Sequence, residues 1–350
     1  MRTLIDFAIL QEYDRVKKRG DKLVEIGSMI DWEAFRVILD PLFKNKGENG
    51  GRPNIEVVIM LKHLVIQQWK GLSDPALERE VADRISFRVF LGTTEVIPDF
   101  STVWLFRKRL AESGKDKEIW DELQRQMDAM GYAVIEGTVQ DATFITSDPG
   151  RNHKKKPESE SEEVKEDSGT PVERLEFDHE LLEMANNLEE MKSKAIASEE
   201  IPTSEGSWAK KGSKSFFGYK GHISIDGKYQ LIRKVETTTA SVHDSQVDLG
   251  VNGLPNYRDK GYSGAKCVGY DAAMVKATRG HGLSIQDILR NKRIGSKRGK
   301  VERCFSVMKR VFKAGHVMVT TVKRAGVKIM MNSFVYNLYQ LRTLAKKRLA

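Results

Sequence analysis

AVIEGTVQDAT, residues 133–143, is a β-branched run that delivers a carboxylate, Asp141, near its end. Val, Ile and Thr are stiff at χ1 and suit a pleated, half-buried chain, so Tyr132–Ile145 reads as a strand. A carboxylate there has two readings: a turn or cap residue, or a metal ligand presented from a rigid element. Two more acids lie in comparable contexts. Asp259 sits in NYRDKGYSG (256–264), and Glu302 in the basic stretch KRGKVERCFSVMKR (297–310).

The sequence around these acids predicts an α/β domain over residues 131–350. SFFGYKGHISID (215–226) and YQLIRKVETT (229–238) are separated by Gly227–Lys228, a hairpin signal. A short helix is expected over Asp244–Val251, and a strand leads into Asp259. Lys297–Lys313 reads as a helix with Val301, Phe305, Met308 and Phe312 as its apolar stripe, and a last helix as about Ala325–Ala345.

Residues 1–130 read as helical. Asp31 precedes WEAFRVILDPLF; a polar loop over 44–54 leads to a helix over Ile55–Trp69, the turn GLS, and a helix over Asp74–Phe87 with Ser73 or Asp74 as N-cap. DFSTVWLFRKRL follows, capped near Ser101, with Arg107, Lys108 and Arg109 expected on its polar side. Helix, tight turn and basic helix fit helix-turn-helix DNA binding and equally a plain bundle. Residues 148–206 read as an insertion or linker: a polar opening cannot order itself, and an amphipathic helix follows with Leu175, Leu182, Met184, Leu188 and Met191. It is either a solubilising loop or an acidic mimic of DNA.

Charge is segregated. The 350 residues carry a net +9, but 157–200 hold fifteen acids against four bases, leaving about +20 on the rest. From Lys297 onward, fourteen Lys/Arg surround one acid, Glu302. Such a field is the footprint of a phosphate backbone or a solvated basic helix. Two cysteines, Cys267 and Cys304, lack metal-ligand spacing, and no stretch approaches the ~20 apolar residues of a membrane span. A leader peptide is not expected at the N-terminus. The expectation is a cytoplasmic, nucleoid-associated protein with no membrane partner.

Carboxylate oxygens are the donors that Mg²⁺ and Mn²⁺ prefer, and two such ions can clamp the attacking and leaving oxygens of a phosphoryl displacement. Asp141 and Asp259 at neighbouring strand ends, with Glu302 from a helix, would supply them. Arg298 and Lys309, at i−4 and i+7 from Glu302, share its helix face. Glu302 can also be read as a salt-bridged surface residue. Asp226, Asp244 and Asp271 are rival carboxylates, with N-capping the default for Asp244. Lys220 and His222 point the same way from one strand, toward DNA or into structure.

Taken together, these segments resemble a DDE transposase of a bacterial or archaeal insertion sequence, of the insertion-sequence-five group within the four/five superfamily. The resemblance rests on IDWEAFRVILDPLF, WKGLSDPALEREVADRISFRVFLG, IPDFSTVWLFRKRL, GTVQDATFI, the strand from Trp208 to His222, TTASVHDSQ, RDKGYSG and R-x-x-x-E-x-x-x-x-x-x-K. It implies an RNase H-like catalytic fold behind an all-helical domain that binds DNA ends. It also implies a catalytic and metal-binding triad of Asp141, Asp259 and Glu302, with two Mg²⁺ or Mn²⁺ ions per site. Arg298 and Lys309 match the family signature; Gly295 stands where its tyrosine belongs. DNA contacts are expected from Arg298, Lys309, Lys220, His222, Arg107 and Arg109. The partners implied are double-stranded DNA, both terminal inverted repeats and target, and a homodimer or higher synaptic oligomer. Other readings are a catalytically silent DNA-binding regulator, an RNase H-like nuclease that cuts without joining, and a basic scaffold.

Overall fold

The computed structural model describes residues 4–43, 54–92, 97–149 and 204–349. Among them, eight α-helices precede the first strand: α1 (Leu4–Lys17), α2 (Lys22–Gly27), α3 (Arg36–Leu39), α4 (Val57–Lys70), α5 (Asp74–Asp83), α6 (Ile85–Leu91), α7 (Phe100–Ser113) and α8 (Asp116–Ala129). Their ends follow local chemistry. The Glu56 carboxylate accepts from the amides of Val58 and Ile59 to start α4, and Gly71 ends it in a left-handed conformation, φ +61°. Ser73 caps α5. Asp99, rather than Ser101, caps α7 by accepting from the Thr102 amide at 2.6 Å. WEAFRVILDPLF is not one helix but α3 between two 3₁₀ turns, Glu33–Phe35 and Asp40–Leu42. Pro41 lies in the second turn and has no N–H to continue an α-helical ladder.

Among the described residues, seven strands form one mixed sheet: β1 (Thr138–Ser147), β2 (Ser207–Lys211), β3 (Lys214–Asp226), β4 (Ile232–Thr239), β5 (Pro255–Arg258), β6 (Tyr270–Ala273) and β7 (His316–Val317). The order is β2-β3-β1-β5-β6, with β4 also on β3 and β7 on β1. β1 is central, antiparallel to β3 (Asp141 opposite Ile223) and parallel to β5 (Val139 opposite Tyr257). Gly137, at φ +95°, admits β1 beside β5; a Cβ there would lie 2.4 Å from the Pro255 carbonyl oxygen. The expected hairpin is β3–β4. The Asp226 carboxylate closes its turn by accepting from the amides of Lys228 (2.9 Å) and Tyr229 (2.7 Å).

Two long helices complete the fold, α9 (Ile285–Arg310) and α10 (Val322–Leu349). Both start earlier than their apolar stripes predict. The helix expected over Asp244–Val251 is a single 3₁₀ turn, Asp244–Gln246. None of the helices among the described residues is long and apolar enough to cross a membrane.

Alternation along β1 and β3 sorts side chains to two faces. Val139, Ile223 and Ile225 join Val301 and Cys304 of α9 in a core that continues into the N-terminal helices. Phe334 of α10 is fully buried, its ring 5.9 Å from Phe35 and 6.3 Å from Trp32. Residues 1–148 and 205–350 accordingly form one compact unit. Apart from its first two and last three residues, the acidic segment expected at 148–206 lies outside the described residues.

Phe334→Ala should lower stability by roughly 3–5 kcal/mol, the cost of emptying a buried aromatic site, read from a urea titration. A second expectation concerns pH. His63 on α4 is buried with only the Ile59 carbonyl as partner, and burial lowers its pKa to about 4. The unfolded chain therefore binds a proton that the fold excludes, so stability falls as pH drops from about 6.5 toward 4. His63→Leu should remove about one proton from the pH dependence of the unfolding free energy over that window.

Candidate active site

β1 carries Asp141 on the face that meets α9. Asp141 is the fourth residue of β1 rather than at its end, and Asp259 directly follows β5, the parallel neighbour, so the register that sets Val139 opposite Tyr257 brings the two carboxylates level with one another. Between them lies Arg298 of α9. Its Nη2 is 3.1 Å from Asp141 Oδ2, and its Nη1 is 3.3 Å from Asp259 Oδ1. Asp259 stands at the N-cap position of the turn Lys260–Tyr262 yet makes no side-chain cap hydrogen bond. Its carboxylate faces the guanidinium instead. Asp141 adds a hydrogen bond from the Ala142 amide, 2.9 Å.

Burial pushes the Asp141 pKa above the ordinary carboxylate value. The positive charge of Arg298 opposes this, and the negative charge of Asp259 adds to it. Two carboxylates thus compete for one cation in a partly dehydrated place.

Glu302 lies one helical turn beyond Arg298. It is exposed and makes no salt bridge among the described residues. The structure brings Asp141 and Asp259 together but does not draw Glu302 into a group with them: among the described residues, no three Asp, Glu, His or Cys side chains are arranged to hold a metal ion. Lys309, further along the same face, donates to the Phe144 carbonyl of β1 at 2.9 Å. Burial, then the nearby charge of Lys211, lowers its pKa.

The rival carboxylates are engaged elsewhere. Asp244 pairs with Lys220 at 2.8 Å, Asp271 with Arg258 at 2.8 Å, and Asp226 closes the β3–β4 turn.

Three expected DNA contacts are displaced. Lys220 and His222 do share a face, but it is the covered one. Lys220 donates to the Val242 carbonyl (2.6 Å), and His222 Nε2 lies 2.9 Å from Thr238 Oγ1. His222 is 0% exposed, and burial lowers its pKa to about 4. The segment after β4 lies over them, anchored where Gln140 donates to the Val247 carbonyl. Arg107 is not on the polar side of α7. It is 8% exposed and donates to both Asp74 oxygens, because the start of α5 places that carboxylate against α7. Arg109 lies with its guanidinium 5.0 Å from the Phe43 ring.

Sequence reading also missed Lys297, whose Nζ donates to Tyr257 Oη at 2.7 Å and ties α9 to β5. Only the four-residue helical spacing of basic side chains could have signalled it.

A family model described as a transposase domain (DUF772) matches residues 11–109, and one described as a transposase DDE domain matches residues 174–338. The chain belongs to the DDE transposases of insertion sequences. The DDE match contains Asp259 and Glu302, while Asp141 precedes it. No solved structure matches the chain. For a DDE transposase, helices followed by a mixed sheet are the expected RNase H-like arrangement.

Arg298 is the attraction that holds the Asp141 pKa down. Arg298→Gln should therefore raise that pKa further, measured by carbon-detected NMR titration of the labelled carboxyl in metal-free protein.

Proposed function

We propose that this transposase engages the terminal inverted repeats of its element through its N-terminal helices and cleaves the DNA at each end. The freed 3′-hydroxyl is then joined to target DNA. Asp141, Asp259 and Glu302 are the catalytic carboxylates, and two or more copies pair the ends. The R-x-x-x-E-x-x-x-x-x-x-K pattern at Arg298, Glu302 and Lys309 favours the insertion-sequence-five group.

One observation carries the reading: carboxylates from β1 and from the end of β5 converge on a single positive charge, and Asp259 is not used as a cap. A cation already bridges the pair, and the donors are hard oxygens, which fits Mg²⁺ or Mn²⁺. Asp141 and Asp259 would hold the metal, with Glu302 as the third ligand. When bound, divalent ions there would acidify the attacking water or 3′-hydroxyl and neutralise the departing oxygen.

The chain's own residues supply binding and orientation. The Arg298 guanidinium turns its two terminal nitrogens to Asp141 and Asp259 and so orients the carboxylates, while the basic side chains around it on α9 supply positive charge for the phosphate backbone. The sheet and the core beneath α9 keep the carboxylates on rigid elements, so little reordering is needed when substrate arrives. No covalent protein–DNA intermediate is required, so no Ser or Tyr nucleophile is assigned.

The test uses a labelled fragment bearing the element's end. Asp141→Asn, Asp259→Asn and Glu302→Gln should each reduce Mg²⁺-dependent cleavage and strand transfer by at least about a thousandfold, while gel-shift affinity for the end changes less than threefold. Strand transfer persisting in any one variant removes that residue from the site. Cleavage without a joined product in the unaltered chain would favour a nuclease.

A further inference from the structure

A cavity of about 540 Å³ lies among the end of α4, the start of α5, α7 and the connection between α9 and α10. Its wall is cationic: Arg107, Lys108, Lys313, Arg324 and Lys328 border it, against one carboxylate, Asp74. That carboxylate is fully engaged, accepting from Arg107 at 2.8 and 2.6 Å and from Gln67 Nε2 at 2.5 Å. Lys313, Arg324 and Lys328 form no salt bridge among the described residues.

Arg324, Lys328 and Asn332 follow one another at four-residue steps, on one face of α10. Lys328 is only partly exposed, and burial followed by the charge of Arg107 lowers its pKa. Asn332 is 3% exposed, and its side-chain oxygen meets no donor. Trp104 borders the same space with 40% exposure; the Arg324 guanidinium carbon lies 5.3 Å and Lys108 Nζ 5.4 Å from its ring. Unmatched positive charge in a recess, beside an aromatic ring, is a setting for an anion that carries a flat group.

We propose that this cavity receives the terminal phosphate of an unpaired nucleotide at a single-stranded DNA end, with Arg324 and Lys328 gripping the phosphate and Trp104 flanking the base. The inference rests on the DNA-processing reading above and adds a second DNA site to it. A recess of this volume admits one nucleotide and excludes a double helix. It also stands apart from the carboxylates. His316 and Val317 border it and pair with Thr146 and Ser147, five to six residues beyond Asp141, about 16–20 Å at the rise of a β-strand.

The test is a fluorescence titration of the full chain, without divalent metal, using 5′-phosphorylated pentathymidylate. A saturable change is expected that is lost in Trp104→Phe. Lys328→Gln, and Lys313→Glu at the exposed rim, should each weaken binding about tenfold, with thermal melting confirming that both variants fold. Inorganic phosphate and a blunt hairpin duplex should compete at least about tenfold less well. Unchanged affinity in both lysine variants overturns the proposal. So does equal competition by inorganic phosphate, which would make this a free-phosphate site, or by the duplex. Repeating the titration in Asp259→Asn separates the two readings: a failed cavity leaves end cleavage by the unaltered chain intact, and a failed carboxylate site leaves oligonucleotide binding intact.

Discussion

Two carboxylates brought side by side and partly out of water repel one another and lose hydration, so the arrangement persists only with a cation between them. Arg298 is that cation, and the placement of α9 follows from it. Its guanidinium fixes the helix to Asp141 and Asp259 at one point, and Lys309 fixes it to the Phe144 carbonyl three turns later. Between these, Val301, Cys304 and Met308 bury the underside of the helix in the core. Charge sets the register of α9 on the sheet, and apolar packing supplies most of the energy, about 1.5–3 kcal/mol for a fully buried side chain of valine or methionine size.

The other face of the sheet serves the same end by different chemistry. Gln140, His222, Asn256 and Arg258 are all fully buried there. Such groups are tolerated when hydrogen-bonded, and their bonds go both to loop backbone and to one another's side chains. Gln140 accepts from the Leu249 amide and the Asn256 side chain, and Arg258 donates to the carbonyls of Ala265 and Lys266 and to Asp271. Arg258 directly precedes Asp259. The catalytic candidate therefore leaves an anchored residue, and its position is set by the hydrogen bonds that hold Arg258 rather than by a free loop.

What the sequence revealed was what short periods encode. The strand that carries Asp141 and the β3–β4 hairpin were legible because β-branched residues and a D-G turn act locally, although Asp141 lies near the start of that strand rather than at its end. The basic helix was legible only in its second half. Its first half carries Gly295, Gly299 and a run of Lys and Arg that dilute the apolar stripe, so the capping box of Ser284 and Asp287 was the sole mark of its start. Arg107 shows the opposite failure. Helical spacing placed it on a polar side, but the partner that draws it inward, Asp74, lies on another helix. The core shared by Trp32, Phe35 and Phe334 was likewise invisible, since contacts across three hundred residues leave no periodic trace.

The carboxylates and the positive charges around them belong to one rigid scaffold. β1 runs from Asp141 to the bridge with β7, and α9 runs beside it from Arg298 to Lys309. The two points that join α9 to β1 lie three residues apart on the strand, Asp141 and Phe144, and eleven apart on the helix, so the long side chains of Arg298 and Lys309 make up the difference. A cation displaced along α9 would lose its carboxylate or its carbonyl partner, and one displaced along β1 would break strand pairing. The distance from the acidic pair to the basic recess beyond β7 is consequently held by backbone hydrogen bonds and core packing, the least deformable parts of the molecule.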